Sequence, residues 1–178
     1  MGENSCRDLH TERLLMRPFR RGDARAVARY ANDEKYRRYL SPSHPSAQEF
    51  VAHNVGIDWS VERSWVITLD GEIVGSVFLG INAEDHAAEL ACLVARDFWG
   101  REIGVEASRA AIEHAFVEMD LEKVVARADA RHDASIRVME KLGMRRDGIA
   151  HSHRAGREPQ TTDEVIYEVW RTEWPAEV

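Results

Sequence analysis

Residues 97–105 read DFWGREIGV and join a predicted strand, 87–95, to the start of a long predicted helix. A glycine-bearing turn at such a junction leaves several backbone N–H groups unpaired at the positive end of the helix dipole. These groups suit a phosphate or pyrophosphate, and Arg101 can add a full positive charge. A purely structural interpretation stands beside this one, in which Gly100 ends the turn and Gly104 allows close contact between helix and sheet.

The residues that follow this turn show the period of an amphipathic helix. One stripe is polar and steps by four, three and four residues, through Glu102, Glu106, Arg109 and Glu113. The other stripe is mostly apolar and consists of Ser108, Ile112, Ala115, Phe116 and Met119. This pattern predicts a helix that begins near Gly100, ends near Met119 and packs one face against a sheet.

The segment before the turn predicts an antiparallel meander of three strands. Strands at 64–69 and 72–81 flank Asp70-Gly71, which is a strong hairpin signal. Residues 82–85 then turn the chain into the third strand, 87–95. Farther upstream we expect one strand and two helices, over residues 14–19, 22–32 and 47–61, with a loop at Pro42 and Pro45.

Downstream of the long helix, the sequence predicts a strand at 123–130, a short helix that Asp133 caps and Gly143 ends, and a closing strand at 166–170. The predicted order of elements is β-α-α-β-β-β-α-β-α-β-β. A helix between two strands near the centre implies one parallel crossover in an otherwise mostly antiparallel sheet. The expected fold class is therefore α/β (α+β), with a mixed sheet flanked by helices.

A second informative segment, residues 132–144, reads HDASIRVMEKLGM. Ser135, Val138, Met139 and Leu142 share one helical face by their spacing. A hydroxyl group is thus expected in the first turn of the helix, at the head of an apolar stripe and pointing inward. Alternatively, Ser135 only bonds back to the backbone or fills a small space.

Together the two segments resemble the signatures of the GCN5-related N-acetyltransferase (GNAT) superfamily, and more closely those of its RimJ/RimL-like branch. The pattern FWGRxxGxEA at 98–107 is similar to the acetyl-CoA pyrophosphate loop of that family, and ASIRVMEKLGM at 134–144 is similar to its second signature. The resemblance extends from TERLLMRP at 11–18 to Glu173-Trp174. It implies a single N-acetyltransferase domain over residues 1–178, with a core at about 11–174.

The resemblance also implies a sheet splayed around an acyl-CoA site, with acetyl-CoA as co-substrate and no metal. Pantetheine would lie between the strand that ends at Leu93-Val94 and the strand that ends near Asp129. The backbone of 92–94 would bind pantetheine, and that of 101–105 would hold the pyrophosphate. The implied cofactor-binding residues are Cys92, Leu93, Val94, Trp99, Gly100, Arg101, Glu102, Ile103, Gly104, Val105, His132 and Ser135.

The sequence departs from the family pattern at two positions. Glu102 stands where the family commonly has a third glycine. We expect Glu102 to adopt helical backbone angles, to face solvent and to weaken cofactor affinity at most, because a charge at a helix N-terminus also interacts favourably with the dipole. His132 stands where Asn is usual, and its protonation could make cofactor binding depend on pH; it could equally be a partly exposed loop histidine.

For the reaction, the resemblance implies direct attack of an amine on the thioester, without an acyl-enzyme on Cys92. Ser135 falls where RimL-like enzymes place a serine near the cofactor sulfur, and it is our candidate to protonate the leaving thiolate. Glu89 is our candidate base because it interrupts the apolar run 87–95; burial there would raise its pKa. Alternatively, Glu89 is an edge-strand charge that meets solvent or an arginine.

The composition limits the classes of partner that the protein is expected to bind and the compartment in which it works. A formal net charge of −7 and a pI near 5.6 argue against nucleic acid and are compatible with a cationic amine, either a protein N-terminus or a small molecule. Two cysteines and the lack of a long apolar run or signal segment favour the cytoplasm and exclude a membrane span. The pair His151 and His153 is a weak metal signal without a third ligand. A homodimer is compatible with the family, and a non-catalytic acyl-CoA-binding sensor is the alternative function.

Overall fold

The computed structural model describes residues 8–33, 46–154 and 160–175. In these residues eight strands form one sheet: β1 (Leu9–His10), β2 (Leu14–Pro18), β3 (Glu62–Leu69), β4 (Glu72–Asn82), β5 (Ala87–Val94), β6 (Lys123–Asp129), β7 (Arg145–Arg154) and β8 (Gln160–Trp170). The same residues contain four α-helices: α1 (Ala24–Ala31), α2 (Ala47–Val55), α3 (Ile103–Val117) and α4 (Asp133–Lys141). Short 3₁₀ turns at Arg21–Asp23, Arg96–Phe98 and Arg171–Glu173 complete the described structure.

The strands lie in the order β1-β2-β3-β4-β5-β6-β8-β7. Every neighbouring pair is antiparallel except β5 and β6, which run parallel. Helix α3 connects these two strands and supplies the crossover that a parallel pair requires. The predicted single-domain mixed sheet with one central crossover is confirmed.

Helices cover both faces of the sheet. Trp65 of β3 packs edge-on against His114 of α3, with ring centroids 5.5 Å apart. Phe78 of β4 lies opposite Ser64, the neighbour of Trp65, so its side chain points to the other face of the sheet. There its ring packs edge-on against that of Phe50 of α2, with ring centroids 5.9 Å apart. No helix in the described parts of the chain combines the length and apolar character that a membrane crossing requires.

The amphipathic prediction for α3 is correct in its buried face. Four members of the predicted apolar stripe are buried, and Met119 lies just beyond the helix end at Val117 and is half-buried. Ile103, at the first helical position, is also buried and anchors the N-terminus of the helix against the core. This anchor fixes where the first backbone amides of α3 point.

Two predicted boundaries are wrong. Helix α2 ends at Val55 rather than near residue 61, because Gly56 follows and the Asp58 carboxylate then accepts a bond from the Ser60 amide at 2.9 Å, which makes a turn. The closing strand is longer than 166–170; β8 spans Gln160–Trp170 and pairs with β7 along its length. The predicted loop at Pro42 and Pro45 lies outside the described residues.

Candidate functional site

A wedge-shaped cleft opens where β5 and β6 separate. Within these fully described strands, parallel pairing joins Ala87–Leu90 of β5 to Lys123–Ala126 of β6 and goes no farther. Beyond that point β5 stays paired with β4 as far as Val94, and β6 stays paired with β8 as far as Asp129. The gap forms a cavity of about 440 Å³, which is lined by residues of β5, β6, α3, α4 and the turn before α3.

Strand β5 is held tightly on the β4 side of the cleft. A Cβ at Gly75 of β4 would lie 2.2 Å from the Leu93 carbonyl oxygen, so only glycine allows this approach. The Ala95 amide donates to the Val74 carbonyl at 2.8 Å, which places odd-numbered β5 residues in register to bond β4.

The alternate residues of β5 turn their backbone groups toward the cleft. By this register the N–H and C=O of Cys92 and Val94 point away from β4, while Leu93 directs its backbone to β4 and lines the cleft with its side chain. The Trp99 indole Nε1 donates to the Val94 carbonyl at 2.7 Å. Backbone donors are therefore available along the β5 wall at Cys92 and Val94.

The first amides of α3 form the cluster that the sequence predicts. The first helical bond runs from the Glu106 amide to the Glu102 carbonyl at 3.0 Å, so the N–H groups of Ile103, Gly104 and Val105 have no acceptor within the helix. All three residues line the cleft. Gly100 has φ of 74° and needs glycine, whereas a Cβ at Gly104 would make an ordinary contact of 3.5 Å with Val94 Cγ2.

Glu102 contradicts part of its prediction. Its φ is 61°, in the left-handed region, so the expected helical backbone angles are wrong and glycine would be the less strained residue here. The side chain is exposed, as predicted, and its Oε1 accepts a 2.7 Å bond from Lys141 Nζ. A carboxylate about 6 Å from a phosphate would cost on the order of 1–3 kcal/mol, and a lysine beside it offsets that cost.

Hydrogen bonds from the segment before β2 hold the turn before α3 in place. The Glu106 carboxylate accepts bonds from the Thr11 hydroxyl and from the backbone and guanidinium of Arg13, and Arg13 also donates to the Arg101 carbonyl at 3.1 Å. Desolvation opposes ionisation of Glu106, but the bonds from Thr11 and Arg13 outweigh it and lower the pKa of Glu106. The segment before β2 thus fixes the anion-binding turn.

Ser135 lies in the first turn of α4 and lines the cleft, as predicted. Its hydroxyl is half-buried and hydrogen-bonds to Nδ1 of His132, which also lines the cleft. Met139 and Leu142 are buried and Val138 is half-buried, so the predicted apolar stripe of this helix is confirmed. His132 and Ser135 thus form a hydroxyl–imidazole pair in the wall of the cleft.

The Cys92 thiol belongs to the β5 wall. Burial raises the pKa of Cys92 to about 12, and a hydrogen bond with Ser108 only partly offsets this effect. At neutral pH the sulfur is therefore a neutral thiol, which is a poor nucleophile. This state agrees with the expectation that no acyl group is carried on Cys92.

The cationic side chains in the cleft are not those that the sequence indicated. The Arg101 guanidinium stacks over the Phe98 ring, 5.2 Å from its centroid, and does not line the cavity. Arg127, Arg137 and Lys141 do line it. Sequence spacing could not reveal this set, because β6 and α4 come together only in the folded protein. Lys141 does lie within the second signature, which was a hint.

Glu89 does not occupy the buried place that its predicted role assumed. It is exposed on β5, outside the residues that line the cavity, and its Oε2 lies 3.7 Å from Arg127 Nε. The condition of burial is not met, because the Glu89 side chain is 57% exposed and meets solvent and Arg127, which is the alternative that the sequence left open. The role of Glu89 as a base stays a prediction.

In residues 8–33, 46–154 and 160–175, no three His, Cys, Asp or Glu side chains gather as metal ligands. His151 instead pairs with Asp163 at 2.7 Å across the β7–β8 hairpin.

The donors of the cleft fit the three chemical parts of acyl-CoA. The β5 backbone donors suit the amides of pantetheine, and the apolar walls suit its methylene groups. The α3 amides and the cationic side chains suit the phosphates. The Ser135 hydroxyl adds a proton donor to the wall of the cleft.

Comparison with known proteins agrees with this assignment. Residues 13–145 match the acetyltransferase (GNAT) domain family. The chain is 29% identical over 168 residues to the uncharacterized N-acetyltransferase YnaD of Bacillus subtilis, which covers 92% of this chain and 97% of that protein. It is 26% identical over 138 residues to the spermidine N(1)-acetyltransferase of Escherichia coli, or 76% of this chain and 74% of that enzyme.

Among solved structures, Mycobacterium smegmatis RimJ in complex with CoA-disulfide has the same fold, with a TM-score of 0.82 and 20% identity over 99% of this chain and 93% of that chain. An acyl-CoA-dependent transferase is the class that this sheet and cleft define. The chain belongs to the GNAT acetyltransferase family, in keeping with a RimJ/RimL-like branch.

Proposed function

We propose that this protein transfers the acetyl group of acetyl-CoA directly to a primary amine. The observation that carries the proposal is the cleft between β5 and β6, which is lined both by the α3 amide cluster and by Ser135. Bound acetyl-CoA supplies an electrophilic thioester carbonyl. The chain supplies the donors that fix its position and the groups that move protons around it.

Each group of the cleft has a distinct task in this proposal. The amides of Cys92 and Val94 orient the acyl arm and donate to the acyl oxygen, and those of Ile103 to Val105 hold the diphosphate. Ser135 donates its proton to the departing sulfur, and its oxygen takes a proton from water so that the hydroxyl is restored. This requires His132 to present Nδ1–H to the Ser135 oxygen, so that the hydroxyl hydrogen is directed away from the imidazole. Glu89 takes the amine proton, directly or through water.

The acceptor is a primary amine, on a protein N-terminus or on a small molecule. The net charge of −7 is compatible with a cationic acceptor, and the relative from Escherichia coli is named for spermidine. We place the reaction in the cytoplasm, where the free thiol of Cys92 would stay reduced. A homodimer stays a prediction that light scattering can test.

The proposal is tested by release of free coenzyme A. Purified protein is incubated with acetyl-CoA and a panel of amines that includes polyamines and short peptides with free N-termini, and a thiol reagent follows the product. We expect at least one amine to raise thiol release far above the rate without protein. If acetyl-CoA binds but no amine produces release, the chain is an acyl-CoA sensor; if acetyl-CoA does not bind at millimolar levels, both interpretations are wrong.

A further inference from the structure

A lysine–glutamate pair lies at the rim of the cleft. Lys141 is the last residue of α4, and its Nζ lies 2.7 Å from Oε1 of Glu102, the residue before the first turn of α3. The two side chains are equally exposed, at 53% each, and both residues line the cavity. The pair therefore joins the ends of two helices across the mouth of the site.

The position of Glu102 brings the lysine to the amide cluster. Glu102 directly precedes Ile103, Gly104 and Val105, whose N–H groups have no acceptor within α3. A group held by the Glu102 carboxylate is therefore next to the place where those amides can bind an anion. An ammonium group there adds a full charge to the partial charges of the helix terminus.

Two of the three other cations near the cleft are engaged elsewhere. Arg101 stacks on Phe98, and Arg127 lies beside Glu89 on the far strand. Arg137 is one turn earlier on α4 and points outward enough to be exposed. Lys141 is the cleft cation whose position next to the α3 terminus is fixed by a direct bond.

We propose that Lys141 binds the diphosphate of the acyl-CoA substrate, and that Glu102 holds its ammonium at the cleft mouth for this purpose. The inference rests on the proposed function, because it assigns a residue to the substrate of that same site. An ion pair this exposed is weak, so a phosphate can replace the carboxylate as the partner of Lys141. The lysine also removes the repulsion that Glu102 would otherwise exert on the phosphates.

The test measures binding by calorimetry with three probes: coenzyme A, dephospho-coenzyme A, which lacks the 3′-phosphate, and pantetheine, which lacks every phosphate. Lys141→Gln should weaken the binding of coenzyme A and dephospho-coenzyme A equally, by about 5-fold to 20-fold, because a charge-assisted bond is lost. The binding of pantetheine should not change. Arg145→Gln removes an exposed charge outside the cleft and serves as the control.

Glu102→Gln separates binding of phosphate from neutralisation of Glu102. If Lys141 binds phosphate, the Lys141→Gln loss persists when Glu102 is already Gln. A loss that disappears in that background overturns the proposal, since it means that Lys141 serves only to neutralise the carboxylate. A loss confined to coenzyme A, a loss shared by pantetheine, or no loss also overturns it.

The proposed function and this inference fail in different ways. If the wild-type protein binds none of the three probes, the proposed function is wrong. If the wild type binds them and every variant keeps its melting temperature, a Lys141→Gln protein with wild-type affinities refutes only the assignment of Lys141.

Discussion

Glu102 shows how one residue departs from its family and is still accommodated. Its left-handed backbone is a conformation that costs a non-glycine residue roughly 1–2 kcal/mol. The periodicity of α3 did not indicate this conformation, because the polar stripe continues through this position; the glycine that the family commonly has here was the available sign. Periodicity reports which way a side chain faces, which was correct here. It does not report the backbone angle of the residue that precedes a helix.

The strain at Glu102 predicts an order of stability among variants. Glu102→Gly and Glu102→Ala both lose the bond to Lys141, but only glycine relieves the positive φ. We expect the Gly variant to be about 0.5–1 kcal/mol more stable than the Ala variant after the higher entropy of unfolded glycine is included. Urea denaturation measures this difference, and an Ala variant as stable as the Gly variant would contradict the described turn.

In the proposed reaction Ser135 acts on the departing sulfur rather than holding the cofactor. Ser135→Ala should therefore lower kcat about 100-fold while the dissociation constant for coenzyme A changes by less than about twofold. Ser60→Ala, which removes a hydroxyl from the turn before β3, is the matched control. An unchanged kcat would remove Ser135 from the mechanism.

The proposed role of Glu89 as a base predicts a change in the pH dependence of the reaction. Glu89→Gln should change the acidic limb of the dependence of kcat/KM on pH, because a base must be ionised to accept a proton. Glu84→Gln, on the exposed turn between β4 and β5, provides the control. A profile that matches the wild type would show that the base is another group or water.

At the scale of elements, the amphipathic helix and the meander were predictable because burial imposes a period on their residues. The β7 strand was less accessible to such reasoning. Its second half, at 151–154, is polar and lies at the edge of the sheet, so no alternation of apolar residues marks it. Only its pairing with β8 defines it.

The hydrogen bonds from Thr11 and Arg13 to Glu106 join α3 to a segment that is distant in sequence. Because these bonds lower the pKa of Glu106 below its usual value of 4.5, the stability that they contribute is present above that value and is lost as pH falls through the folded-state pKa. Glu106→Gln should cost about 1–2 kcal/mol at pH 7.

The cost of Glu106→Gln should shrink as the pH is lowered below 4.5, because the wild type then loses the same contribution. Denaturation at several pH values measures both proteins, with Glu84→Gln as the control. If the loss of stability caused by Glu106→Gln is constant with pH, the charge of Glu106 does not contribute to its hydrogen bonds with Thr11 and Arg13.

At the scale of the whole molecule, the helix between two central strands was enough to predict one parallel pair in a mixed sheet. The separation of β5 and β6 was implied only by the resemblance of the two signatures to the family. The charges of the cleft were not predictable in the same way. Arg127 comes from β6 whereas Arg137 and Lys141 come from α4, and the net charge of −7 conceals the local excess of cations. Composition sums over the surface, whereas binding depends on the nearest groups.

The net charge of the protein and the local charge of the cleft predict opposite effects of salt on the affinity for coenzyme A. If the local cations dominate, the affinity for coenzyme A falls as salt rises from about 0.05 M to about 0.5 M, because screening weakens attraction. If repulsion between the anionic protein and the anionic ligand dominates, the affinity rises. We expect a fall of about threefold to tenfold by calorimetry, and a rise would contradict the charge distribution of the cleft.

The bond from the Trp99 indole to the Val94 carbonyl has a practical consequence for optical spectroscopy. Trp99 is 39% exposed and lines the cleft, while the other four tryptophans of the chain lie outside that lining. Occupation of the cleft changes the polarity around this single indole, so the intrinsic ultraviolet emission of the protein reports ligand binding without any added label. Trp99→Phe supplies the blank, and stopped-flow mixing can then time the arrival of the ligand directly.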